Sequence, residues 1–248
     1  MSSIGLRRSL VFYFILILIM LVSMYFSSTA FIAYFLIIAA VYILKNKDSD
    51  FRWGVSWKFG YLFGFILISL IFIIEFGLGW IKFEKLYPDT FYILIASVAF
   101  ELLVSLGEEL SFRGYILPNL IDSFGTKKAV ITTSVLFAGL HIPSIYTLDI
   151  QPFNGLIMFI TVGMAGLILA LLYIIGGLKN SCGFHFSWNF FQYHVFSLRS
   201  GFGIFGLSAA KPAFTGGEAG PEAGIIGLFV LLLGASVLLV LFPALRKE

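Results

Sequence analysis

From Phe153 to Ile175 the chain runs for 23 residues without a charged side chain. A helix needs about 20 mostly apolar residues to cross ~30 Å of hydrocarbon, so a run of this length commits its neighbourhood to lipid. The rest of the chain agrees. Of 248 residues 60 % are hydrophobic and 12 % charged, against roughly 25 % charged in an ordinary soluble domain. Such a chain cannot cover a water-facing surface. Eight apolar stretches predict spans over about 9–26, 29–45, 59–80, 91–114, 128–143, 153–175, 181–199 and 224–243. Backbone groups in lipid have no water to bond to, so helix is the expected state of each. The expected fold is all-α: a polytopic membrane bundle of about eight transmembrane helices, one membrane domain over 1–248.

The remaining charges sort by loop. Arg7, Arg8, Lys45, Lys47, Arg52, Lys58, Lys127, Lys128, Lys179, Arg246 and Lys247, eleven in all, fall in alternate connections, and Lys82, Lys85, Arg199 and Lys211, four, fall in the others. Basic residues concentrate on the cytoplasmic side. This predicts a multi-pass protein of the cell membrane with both termini cytoplasmic. A net charge of +3 without a basic cluster gives no reason to expect nucleic acid as a partner. Arg7 and Arg8 before a long apolar run, with Ser28-Thr29-Ala30 after it, imitate a signal peptide. The run is longer than a signal's apolar core and a second apolar segment follows at once, so an uncleaved anchor is expected.

One cysteine, Cys182, excludes an internal disulfide. It stands three residues before His185, a spacing that raises a Cys/His nucleophile pair, but a small residue between packed helices is the expected role. Gly60 with Gly64, and Gly163 with Gly166, have a spacing that lets membrane helices approach closely. The loop around 200–223 carries Gly216-Gly217-Glu218-Ala219-Gly220-Pro221-Glu222. Its glycines permit positive φ and are not spaced as a phosphate loop. A flexible connection is expected there, with a flap over a site as the alternative.

Against this background residues 107–114, GEELSFRG, hold two carboxylates and a guanidinium. Each charge at the centre of a membrane helix costs about 2.5–3.5 kcal/mol to insert. Glu108, Glu109 and Arg113 should therefore face the bundle interior, water or one another, and such residues mark functional sites. Glu109 and Arg113 are four apart and share a helical face, whereas Glu108 points about 100° away. One glutamate is then tied into an ion pair, and the other is left to act as a base.

The three histidines are His141, His185 and His194. His141 ends Phe137-Ala138-Gly139-Leu140-His141, just before the helix-ending Pro143. His185 and Asn189 are four apart on one face. A carboxylate base, a second proton carrier and two hydrogen-bond donors on three spans are the parts needed to hydrolyse an amide with an activated water. His194 has no comparable partner pattern and is expected to be structural. A turn at Gly125, taken as a hairpin tip, puts Glu108 and His141 at matching heights, about 25 Å away. His185 lies only ~9 Å past a turn near Lys179. For all three to meet, the tip must project beyond the membrane surface by ~15 Å, and the chain after His141 must cross the remaining depth irregularly, under protein or beside water.

These residues resemble the CAAX-prenyl protease and bacteriocin-processing family of integral membrane proteases (CPBP, also called Abi), with motifs EExxxR, FxxxH and HxxxN. The first reads Glu108-Glu109-Leu110-Ser111-Phe112-Arg113, the second Phe137 to His141, and the third His185-Phe186-Ser187-Trp188-Asn189. The resemblance covers roughly 90–195, the region expected to hold the catalytic motifs. It implies an eight-helix intramembrane endopeptidase. Glu108 and His141 would activate water, His185 and Asn189 would stabilise the oxyanion, and Glu109 and Arg113 would hold the site. The implied partner is a peptide or protein substrate, prenylated or otherwise membrane-anchored, met in the lipid bilayer. Glu108, His141 and His185 are acceptable zinc ligands, and members have been described both as metalloproteases and as glutamate-type proteases. The HExxH signature is absent, so no cofactor is expected, with zinc on those three residues as the alternative.

Two further glutamates sit at depth. Glu101 lies nearly on the face of Glu108, ~10 Å along the helix, and Glu75 lies in the third span. Each is expected either to line a water path or to be a protonated or snorkelling carboxyl. Two other functions compete. A proton-coupled transporter would spread its polar residues along a route and often carry an inverted repeat, whereas these cluster without one. A catalytically silent scaffold would have no need of all six site residues.

Overall fold

The computed structural model describes residues 3–25, 30–45, 51–199 and 203–243. Helices α1 (Ser3–Tyr25), α2 (Ala30–Leu44) and α3 (Lys58–Gly77) lead to a strand, β1 (Ile81–Leu86). Next comes α4 (Thr90–Glu109), which widens into a π segment over Leu110–Ile116 and continues as α5 (Leu117–Phe124). Helices α6 (Thr126–Leu140), α7 (Ile142–Thr147), α8 (Pro152–Gly176) and α9 (Leu178–Asn189) follow. A second π segment covers Phe190–Val195, and then come β2 (Phe205–Ala209), α10 (Pro212–Thr215) and α11 (Ile225–Leu241).

Helices thus occupy all eight stretches where spans are expected, but they are not equal. Five are long and apolar enough to cross a membrane: Ile4–Met24, Lys58–Gly77, Thr90–Phe124, Thr126–Thr147 and Pro152–Gly176. Phe31–Leu44 and Ile225–Leu241 are apolar but shorter. The stretch Leu178–Val195 falls in neither group because it carries the polar residues of the candidate site. Among the described residues, five helices therefore meet the length and hydropathy of a crossing. Large apolar side chains cover the outside, among them Phe35 at 62 % exposure and Ile43 at 79 %, as a lipid-facing surface requires.

An all-α expectation misses the sheet. Strands β1 and β2 pair antiparallel, with Ile81 opposite Ala209 and Leu86 opposite Phe205. Phe83 packs on Phe205 and on Phe72 of α3, which fastens the ribbon to the bundle. The partner strands are too far apart in sequence for a local signal. The sheet joins two of the connections poor in basic residues. At the other end, Leu178 N donates to Arg52 O and Lys179 N to Trp53 O, both at 2.8 Å, joining two of the basic ones. Contacts group these loops as their charges do. Lys47, Arg246, Lys247, Ser28 and Thr29 lie outside the described residues.

Close helix packing seats α9. A Cβ on Gly60 would lie 1.8 Å from Asn180 O, on Gly64 2.8 Å from Phe184 O, and on Gly183 2.4 Å from Trp57 O. Without side chains at these three positions, α3 and α9 lie backbone to backbone. Gly166 plays the same part between α8 and α6, where a Cβ would come 3.1 Å from Ser134 Cα; Gly163 faces Ala138 more loosely, at 3.7 Å.

Two local expectations need correction. The chain after His141 is not irregular at first, because α7 carries it as helix to Thr147, with Pro143 in the first turn, where its missing N–H is not needed. The glycine-rich loop is not a loose connection either. Asn154 Nδ2 donates to Pro212 O at 2.7 Å and to Ala223 O at 2.8 Å, tying the loop to the start of α8. Gly216 and Gly220 use φ of 80° and 84°, which side chains rarely tolerate.

Candidate active site

Glu109 and Arg113 pair as their spacing predicts, Nη1 to Oε1 at 3.0 Å, with both side chains fully buried. Arg113 Nη2 donates to Gly166 O at 2.8 Å, and its guanidinium lies 4.7 Å from the centre of the Phe137 ring. A cation over an aromatic face gains further when it is desolvated. The same Glu109 oxygen meets His185 Nδ1 at 2.9 Å. A carboxylate can only accept, so His185 Nδ1 carries a proton, and Nε2 is turned away from Glu109. Phe137 stacks obliquely on His141 at 4.8 Å and stands edge-on to His185 at 6.2 Å. The aromatic residue of the second motif is therefore the packing centre between the other two motifs.

Glu108 faces elsewhere. Its Oε1 accepts from Tyr34 Oη at 2.9 Å, and its Oε2 lies 3.8 Å from His185 Nε2. Among the described residues no hydrogen bond reaches Oε2. Glu109 also keeps one oxygen without a donor, but its side chain is sealed while Glu108 lines a cavity of about 330 Å³. His141, His185 and Asn189 line the same cavity. His141 Nδ1 lies 2.8 Å from Phe137 O; a carbonyl oxygen only accepts, so Nδ1 donates there and Nε2 is the nitrogen left for other partners.

All six residues singled out in the three motifs are thus brought together. His185 meets Glu109 directly. Cys182 is not a nucleophile facing this cavity. Its Sγ lies 3.9 Å from Ser105 O between α4 and α9, the packing role expected of it.

Several residues of the cavity wall carry no motif. Tyr34 comes from α2, and Gly107 makes room for it, since a Cβ there would lie 2.9 Å from the Tyr34 ring. Glu101 accepts from Asn189 Nδ2 at 3.1 Å and contacts His194 Nε2 at 2.9 Å, so His194 has a partner that its spacing does not reveal. Glu222, from the glycine-rich loop, accepts from Trp188 Nε1 at 3.3 Å and Tyr193 Oη at 3.2 Å. That loop closes one side of the cavity. Glu75 is buried in α3, with Oε1 lacking a hydrogen-bond partner among the described residues, and does not line this cavity.

Two of the three motif helices, α4 and α9, share one more feature. Each widens into a π segment immediately after its last carboxylate or amide, at Leu110 and at Phe190. Such wide turns occur often at functional sites. As for metal, among the described residues no three His, Cys, Asp or Glu side chains converge as a ligand set. His185 Nδ1 is already committed to Glu109.

Residues 89–191 match the family model of Rce1-like type II CAAX prenyl endopeptidases. This is the grouping that the three motifs resemble, and the Rce1-like segment contains all six site residues. The match supports a membrane endopeptidase of this family, acting on a peptide or protein. Tyr34, His194 and Glu222 lie outside the Rce1-like segment. No curated protein and no solved structure matches the chain.

Proposed function

We propose that this chain is an intramembrane endopeptidase in which Glu108 takes a proton from the attacking water. One observation carries the reading. Of the two motif carboxylates, Glu108 is the one that lines the cavity and also keeps an oxygen without a donor among the described residues. Water adds to the scissile carbonyl carbon as its proton passes to Glu108. The oxyanion so formed takes hydrogen bonds from Asn189 Nδ2 and from Nε2 of a doubly protonated His185. Donors placed where charge develops supply the largest part of such catalysis. His141 Nε2 is the second proton carrier. The amine leaves as the C–N bond breaks, taking the proton that Glu108 had accepted. Glu109 and Arg113 hold the His185 ring and do not meet the substrate.

No metal takes part in this scheme. The substrate is a membrane-associated or lipidated protein or peptide, because the cavity sits among helices that face lipid.

The test compares new protein N-termini in cells making the wild type or Glu108→Ala at equal levels. Termini found only with the wild type are expected, and their sequences name the substrates. Identical sets from two folded proteins would overturn the reading. Cleavage by the purified wild type should survive chelation. Loss on chelation with recovery on added zinc would replace the metal-free scheme.

A further inference from the structure

Asn189 is the one oxyanion donor whose orientation the three motifs leave unexplained. Its side-chain amide can rotate, and nothing in HxxxN fixes it. Glu101 supplies the constraint. One oxygen, Oε2, accepts from Asn189 Nδ2 at 3.1 Å, and the other, Oε1, meets His194 Nε2 at 2.9 Å. Glu101 and His194 are 3 % and 6 % exposed, and both line the cavity with Asn189.

The π segment explains how this clamp is built. Residues five apart on an α-helix point about 140° away from each other, so His194 could not share a partner with Asn189. The i→i+5 turns of Phe190–Val195 add about one residue per turn and bring both side chains to one carboxylate. Glu101 in turn stands two helical turns before Glu108, so the same face of α4 carries the base and the residue that aims the donor.

We infer that Glu101, braced by His194, is a positioning residue for Asn189. It holds one N–H of the amide so that the other faces the reacting carbonyl. This role rests on the endopeptidase reading. A misplacement of about 1 Å at a reacting centre can lower the rate ~100-fold, and loss of an oxyanion donor lowers it ~10²–10³-fold.

The test uses the full chain in detergent. Its probe is a synthetic peptide spanning a cleavage site found by the N-terminus comparison. Glu101→Ala should lower kcat about 10–100-fold with little change in KM. Glu101→Gln, which keeps an acceptor toward Asn189, should recover most of that loss. Glu101→Ala combined with Asn189→Ala should be no slower than Asn189→Ala alone, because Glu101 acts only through that amide. Thermal unfolding of the same variants gives a second cycle, in which the losses of the two single variants should be non-additive. Wild-type kcat in Glu101→Ala, a multiplicative double variant, or additive stability losses would each overturn the inference while Glu108-dependent cleavage stands. Cleavage that does not depend on Glu108 would instead remove the endopeptidase reading, and this role with it.

Discussion

The ion-pair core around Glu109 and the cavity wall around Glu108 are built from adjacent residues of one helix. In the core, one carboxylate oxygen accepts from both Arg113 and His185, and the Glu109 and Arg113 side chains are fully buried. On the wall, Glu108 accepts from Tyr34 alone among the described residues and lines the cavity. A turn of about 100° between consecutive residues is enough to separate a carboxylate that holds structure from one placed to do chemistry. In a medium that penalises charge, the first needs its guanidinium and the second needs its cavity.

Variants that exchange these circumstances test the contrast. The largest expected effect is on the wall. Glu108→Gln should lower cleavage by about 10²–10⁴-fold, the usual contribution of a general base, with thermal unfolding unchanged. In the core, Arg113→Ala strands Glu109 and should destabilise the protein by ~3–5 kcal/mol, read as a lower unfolding temperature. Arg113→Lys should not restore it, since an ammonium lacks the planar fork that reaches both Glu109 and Gly166. Next in size, Gly64→Ala should cost about 1–3 kcal/mol by overpacking, because the new Cβ meets Ser187 Oγ at 2.3 Å and Phe184 O at 2.8 Å. Cleavage should fall with it, as α9 carries His185 and Asn189. The smallest effect belongs to Tyr34→Phe, which removes one hydrogen bond to a carboxylate. It should change the cleavage rate by about tenfold, as expected for a bond of ~1.5 kcal/mol, and leave the core intact.

Much of this contrast is legible in the residue spacing. The four-residue step from Glu109 to Arg113 and the sidestep to Glu108 follow from helix geometry, as does the shared face of His185 and Asn189. What escapes is what depends on distant partners. Tyr34 is one of 11 tyrosines, on an apolar helix with no pattern around it. His194 looks unpartnered at α-helical spacing because the π segment that turns it toward Glu101 has no sequence signature. The glycine-rich loop reads as flexible because the residue that fastens it, Asn154, lies in another span. The ribbon of β1 and β2 is hidden for the same reason.

The most direct test sets Glu108→Gln beside Glu109→Gln at equal expression, counting wild-type-specific N-termini and measuring thermal unfolding for each. The account predicts that Glu108→Gln loses the termini and keeps the unfolding temperature, while Glu109→Gln lowers the unfolding temperature as its pairing with Arg113 and His185 fails. Termini retained in Glu108→Gln, or an unfolding temperature that falls with Glu108→Gln and not with Glu109→Gln, would contradict the division between the two carboxylates.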